Sequence, residues 1–177
     1  ANNNMLNCAQ GLHDFLRAYY HFKSADWKNN KPFKLDTWSA NSLEKLPRYY
    51  IMDSEMGIAE NVAKYMPSIE AINNCEWLTE AELSNYTRIY KKTGFQGGLN
   101  WYRCMIDNSY LKRLELYSGL TINIPSYFIA GASDWGIYQK PGSFEEMYER
   151  TCSNMKKPDL IKGAGHWVQQ EKPKETT

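Results

Sequence analysis

The chain has 177 residues, with 21 Lys and Arg against 20 Asp and Glu, 42% hydrophobic and 14% aromatic residues. That length fits one domain or one and a fraction, the even charge balance offers no basic face for a phosphate backbone, and no apolar run approaches the about 20 residues that cross a bilayer. Neither a nucleic-acid partner nor a membrane span is expected.

Four Cys, at positions 8, 75, 104 and 152, form no Cys-x-x-Cys pair and have no His at ligand spacing, so neither a zinc site nor a disulfide framework is signalled. Buried, reduced thiols and a cytoplasmic setting are the expectation. The 6 Trp, 13 Tyr and 6 Phe supply aromatic surface for either a core or a pocket wall. The chain opens on Ala-Asn-Asn-Asn, without a charged leader and apolar stretch, and stops at Pro173 to Thr177 in what suits the start of a helix. It reads as a segment of a longer protein.

Residues 11–23 place Leu12, Phe15, Leu16, Tyr19 and Phe22 or Tyr20 at steps of three and four, which predicts a helix. Residues 24–50 break into Lys, Asn and Pro, and predict an extended loop with one helical turn at Ser42 to Leu46. Met56 to Met66 is again spaced for a helix, closed by Pro67, and Ser68 caps a short helix through Ala71 and Asn74. Thr79-Glu80-Ala81-Glu82 is a capping box, because the Thr79 hydroxyl can accept an early N–H while Glu82 reaches back. That helix runs to Lys92 and is stopped by Gly94. Further helices are predicted over Leu99 to about Asn108 and over Leu111 to Ser118.

The character changes at residue 120. Ser126 to Ala130 is a short, nearly continuous apolar run that predicts a buried strand of a parallel sheet. Ser143 to Met155 predicts a helix with Glu145 and Glu146 in its first turn, and Pro158 to Lys162 a second strand. Strand, helix and strand in succession make a βαβ unit. The chain thus divides into an all-helical, aromatic-rich part, 1–119, and an α/β part, 120–177.

Each predicted strand runs into a Gly-bearing loop with one ionisable residue: Asp134 in Gly-Ala-Ser-Asp-Trp-Gly and His166 in Gly-Ala-Gly-His-Trp. Sites assemble at the carboxyl ends of parallel strands. An Asp there can orient a His and stabilise its charged form while the ring acts as a base. On the residues alone, Asp134 as a turn residue and His166 as a hydrogen-bonded structural residue are the bland alternatives.

Phe128 to Gly136 and Gly163 to Pro173 resemble the last two catalytic loops of α/β-hydrolases of the epoxide hydrolase family. Gly94-Phe95-Gln96-Gly97-Gly98-Leu99-Asn100-Trp101-Tyr102-Arg103 resembles that family's lid motif. The resemblance implies a partial α/β-hydrolase fold, with 1–119 an N-terminally incomplete helical cap and 120–177 the end of the core. It implies an enzyme that opens epoxides to vicinal diols without cofactor or metal. A carboxylate attacks an epoxide carbon, a tyrosine hydrogen-bonds the epoxide oxygen, and activated water hydrolyses the ester. By resemblance, His166 is the water-activating base, Asp134 its orienting acid and Tyr102 a ring-opening tyrosine. Trp101, Trp135 and Trp167 are candidates for the substrate pocket, with a core position as the alternative for each.

The family's nucleophile elbow, its oxyanion loop and its other cap tyrosine precede the cap and are not found in these residues. The chain alone is therefore expected to be inactive, poorly stable, and to leave a sheet edge and apolar surface uncovered. Tyr19, Tyr20, Tyr49 and Tyr50 are read as packing residues, and Met56, Met66 and Met105 as core. The substrate implied is a small apolar epoxide, and a homodimer is left open. The rival readings are a dehalogenase or esterase of the same fold, and a noncatalytic hydrolase-like protein that binds a small apolar ligand.

Overall fold

The computed structural model describes all 177 residues. The first part is helical: α1 (Asn2–Leu6), α2 (Gly11–Lys23), α3 (Ala40–Leu43), α4 (Ile58–Ala63), α5 (Ile69–Asn73), α6 (Glu80–Thr93), α7 (Gln96–Cys104) and α8 (Asn108–Leu114). After it come the parallel strands β1 (Ile129–Gly131) and β2 (Asp159–Ile161), with α9 (Ser143–Glu146) between them. The short helices α10 (Val168–Glu171) and α11 (Pro173–Thr176) close the chain.

Helix α2 organises the helical part. Its apolar side buries Phe15, Leu16, Ala18, Tyr20 and Phe22 against Ala59 and Val62 of α4 and Leu83 of α6. Burying side chains of this size contributes about 1.5–3 kcal/mol each, so these contacts, more than helix propensity, hold the short helices around it. Arg17 is buried with them because its guanidinium donates to the Leu78 carbonyl (2.7 Å) and to Glu80 (2.5 Å), satisfying the charge at the start of α6.

The capping box at Thr79 forms as the sequence predicts. The Glu82 N–H donates to the Thr79 hydroxyl (3.3 Å), and Glu82 Oε2 accepts from the Thr79 N–H (2.8 Å). Gly94 ends the helix at φ +66°, a backbone conformation that costs glycine nothing.

The 143–155 segment departs from the predicted single helix. It runs as α-helix only through Ser143–Glu146, widens into a looser helical turn over Met147–Thr151, and then turns between bridges at Cys152 and Met155. The cause is the neighbouring segment: the Ile122 N–H donates to Thr151 O (2.7 Å), Ser153 N–H to Ile122 O (2.9 Å) and Lys156 N–H to Ser126 O (3.0 Å). Backbone groups claimed by parallel bridges cannot close helical turns. The sheet proper is short, with β1 and β2 paired in the register Ala130 to Leu160.

Two further expectations are corrected. Met56, Met66 and Met105 are exposed and not in the core, and of the four free thiols only Cys152 is buried while Cys104 is exposed. Met105 and Cys104 belong to the surface of α7, α8 and residues 105–127, where Ile106, Leu116, Leu120 and Ile124 also face outward. No helix is long and apolar enough to cross a membrane.

Candidate active site

The two strand-end loops lie side by side. The Ala132 N–H donates to Ile161 O (2.8 Å) and the Ser133 N–H to Ala164 O (2.9 Å), which brings the Asp134 turn against the His166 turn. Glycine is required at Gly131 and Gly165. A Cβ on Gly131 would run into the carbonyls of Ala164 and Gly165, and one on Gly165 into the backbone of Lys23 to Ala25.

The consequence is a contact between the predicted acid and base. His166 Nδ1 lies 3.2 Å from both carboxylate oxygens of Asp134. Asp134 Oδ1 also accepts the Gly136 N–H (2.8 Å) at the head of the turn Trp135–Ile137, which fixes the carboxylate's direction. Burial by itself would raise the Asp134 carboxyl; the hydrogen bond and charge of His166, the Gly136 N–H and the Lys23 charge together outweigh it and hold the group below its ordinary value. An ionised Asp at Nδ1 leaves Nε2 to take a proton.

Glu171 supports the loop from beneath. Its Oε2 accepts the N–H groups of Gly165 (2.9 Å) and Ala25 (2.8 Å), and its Oε1 accepts that of Trp167 (3.1 Å). Burial is the largest influence on this carboxyl and leaves it above its ordinary value, although the three N–H donors pull it down. The His166 N–H donates to Lys23 O at 2.9 Å, so the loop is also tied to the end of α2.

Trp167 extends from this loop onto α2. Its indole N–H donates to Tyr20 O (2.9 Å), and its ring lies 4.3 Å from that of Tyr20 and 4.9 Å, edge to face, from the imidazole. The other two candidate tryptophans lie elsewhere. Trp135, 4% exposed, packs with Leu35, Leu46 and Phe33 in a small apolar cluster directly after Asp134. Trp101 on α7 is 71% exposed. Tyr102 beside it is 67% exposed, and burial first, with Tyr102 as a lesser influence, raises the Tyr19 and Tyr50 phenols.

Two residues of this neighbourhood escape the sequence reading: Glu171, and Lys23, whose side chain is almost fully enclosed. Lys23 stands four residues after Tyr19, on the apolar stripe of α2, which is the signal that could have drawn attention to it. No cluster of His, Cys, Asp and Glu suited to a metal ion is found.

The chain has helices packed on a parallel strand, helix and strand unit, with an Asp and a His meeting at the strand ends, and shares part of the α/β-hydrolase fold. The relatives of the chain are epoxide hydrolases of that fold. Epoxide hydrolase A of Mycobacterium tuberculosis (strain ATCC 25618 / H37Rv) is 40% identical over 102 residues, covering 57% of this chain and 30% of that protein. Epoxide hydrolase 3 of Siraitia grosvenorii is 33% identical over 103 residues, covering 56% of this chain and 32% of the other.

Among solved structures, epoxide hydrolase A from Mycobacterium thermoresistibile aligns with TM-score 0.56 and 35% identity over 68% of this chain and 34% of its own. An epoxide hydrolase from an endophytic Streptomyces shares the fold over 96% of this chain and 44% of its own, with TM-score 0.71 and 23% identity. The matched region amounts to about a third of the length of the first of these curated relatives. No family model matches the chain.

Proposed function

We propose that the protein carrying these residues opens small apolar epoxides to vicinal diols, with His166, Asp134 and Tyr102 in the roles the sequence reading assigns. The observation that carries this is the His166 to Asp134 contact of 3.2 Å at adjacent strand ends, in a chain whose relatives are epoxide hydrolases. Residues 1–119 act as the cap and 120–177 as the end of the core in this reading.

In the first step a carboxylate attacks one epoxide carbon and the carbon–oxygen bond breaks toward the oxygen. The Tyr102 phenol hydrogen-bonds that oxygen and gives it a proton. In the second step His166 Nε2 takes a proton from water and the hydroxide attacks the ester carbonyl; the carboxyl released gives its proton to the departing alkoxide, which leaves as the diol, and the imidazolium proton restores the Tyr102 phenol. Asp134 stabilises the imidazolium formed in between. Neither nearby carboxylate suits the first step, since Asp134 is engaged by the imidazole and Glu171 by three backbone N–H groups. The nucleophile is therefore assigned to residues outside this chain.

The test is diol formation from a small aryl epoxide by the complete translation product that contains this chain. Tyr102→Phe is expected to lower the rate of ring opening by 10-fold or more, in the roughly 10²–10⁴-fold range of acid catalysis when no other tyrosine substitutes for it. Unchanged diol formation in that variant would remove Tyr102 from the mechanism, and turnover of a carboxylic ester with no action on epoxides would turn the reading to an esterase.

A further inference from the structure

Glu171 ends the single turn of α10 and is 9% exposed, yet the partners of its carboxylate are backbone N–H groups and no side chain. Oε1 takes the N–H of Trp167, four residues back, a short-range bond of the kind that satisfies the start of a helical turn. Oε2 does what that local role does not require. It takes the N–H of Gly165, the residue before His166, and that of Ala25, just past the end of α2. One carboxylate therefore holds the chain on both sides of the base and binds it to the helical part.

The backbone at the base presents three consecutive N–H groups, and each is claimed. That of His166 goes to Lys23 O at 2.9 Å, and the flanking ones go to Glu171 at 2.9 and 3.1 Å. With these bonds made, the direction in which the His166 side chain leaves the backbone is fixed, and Nδ1 lies 3.2 Å from both Asp134 oxygens. The link on the sheet side, from the Ser133 N–H to Ala164 O, ends before Gly165. Glycine is the residue whose backbone turns most freely, so the hold beyond it has to come from elsewhere.

We infer that Glu171 is a positioning residue for the base: by holding the N–H groups on either side of His166, its carboxylate keeps the imidazole aligned on Asp134 for the water-activating step. The consequence in turnover rests on the epoxide hydrolase reading; the alignment does not. A carboxylate suits this task, because two acceptor oxygens meet three donors, whereas an amide offers one oxygen and turns an NH2 group toward an N–H. Hydrogen bonds to an ionised acceptor are also about twice as strong as those between neutral groups.

The test separates the two half-reactions in the complete protein. Rapid quenching and intact mass spectrometry with a small aryl epoxide follow the growth of the ester adduct and its decay. Glu171→Gln is expected to slow ester hydrolysis by about 10-fold or more, while ester formation, which does not use His166, stays within about 2-fold. A general support of the fold would lower both rates together, so an equal fall in both, or an unchanged hydrolysis rate in the folded variant, overturns the inference. If Glu171→Gln does not fold, Glu171→Asp, which keeps the charge but draws the oxygens back, is judged by the same criterion. NMR relaxation of the His166 ring, measured without substrate, is expected to show added motion in the variant, and an equally rigid ring overturns the inference. If the unsubstituted protein forms no ester, the epoxide hydrolase reading fails, and the ring measurement alone decides the positioning.

Discussion

The His166 N–H donates to Lys23 O at 2.9 Å, joining the strand-end loop of the α/β part to the last turn of α2. The loop is thereby held by the helical part as well as by the sheet, and the base's position depends on both. Asn30 closes the same helix end, its side-chain amide donating to Ser24 O (2.8 Å) and Lys23 O (3.3 Å). A site on backbone satisfied in this way is fixed before any ligand arrives.

Glu171→Ala tests the support under the loop. Removing the carboxylate leaves the N–H groups of Ala25, Gly165 and Trp167 without their acceptor. An unsatisfied buried donor costs about 1–3 kcal/mol, so urea unfolding at pH 7 is expected to show a loss of at least that size with an unchanged slope. Glu171→Gln keeps one acceptor oxygen and is expected to lose less. A loss under about 0.5 kcal/mol in the alanine variant, the ordinary range of a surface substitution, would show that the loop holds itself.

Lys23 makes stability depend on pH in the alkaline range. Its folded value of about 8 lies below that of a solvated lysine, so between those two values the unfolded chain binds more protons than the folded one. Stability is therefore expected to rise as pH increases from 8 toward about 10, where the tyrosines of the unfolded chain begin to ionise. Lys23→Met is expected to unfold at higher urea than the unsubstituted protein at pH 7 and to lose this rise. A flat profile in the unsubstituted protein between pH 8 and 10 would contradict the burial of a charged amine.

Much of the chain is legible without coordinates. The α2 and α6 helices carry three and four residue apolar spacing, α6 with its own stop at Gly94, and the Asp134 and His166 loops advertise themselves by glycines after apolar runs. What is not legible depends on distant partners. Helix α1 has no apolar period; it forms where Asn2 Oδ1 accepts the Phe95 N–H (2.7 Å) and Asn4 binds Glu60 (2.9 and 2.8 Å). The cage around Lys23 takes rings from positions 19, 49, 50 and 167, and no local pattern announces that they meet. Residues 147–155 read as helix because their partner, 122–126, acts through backbone and leaves no side-chain signature.

The claim that His166 activates water to release a covalent ester is tested most directly by intact mass spectrometry of His166→Ala in the complete protein, mixed with a small aryl epoxide. The account predicts a stable adduct of one epoxide mass per chain and almost no diol, because the ester forms without the base and cannot be hydrolysed. Diol release at the unsubstituted rate, with no adduct, would contradict it.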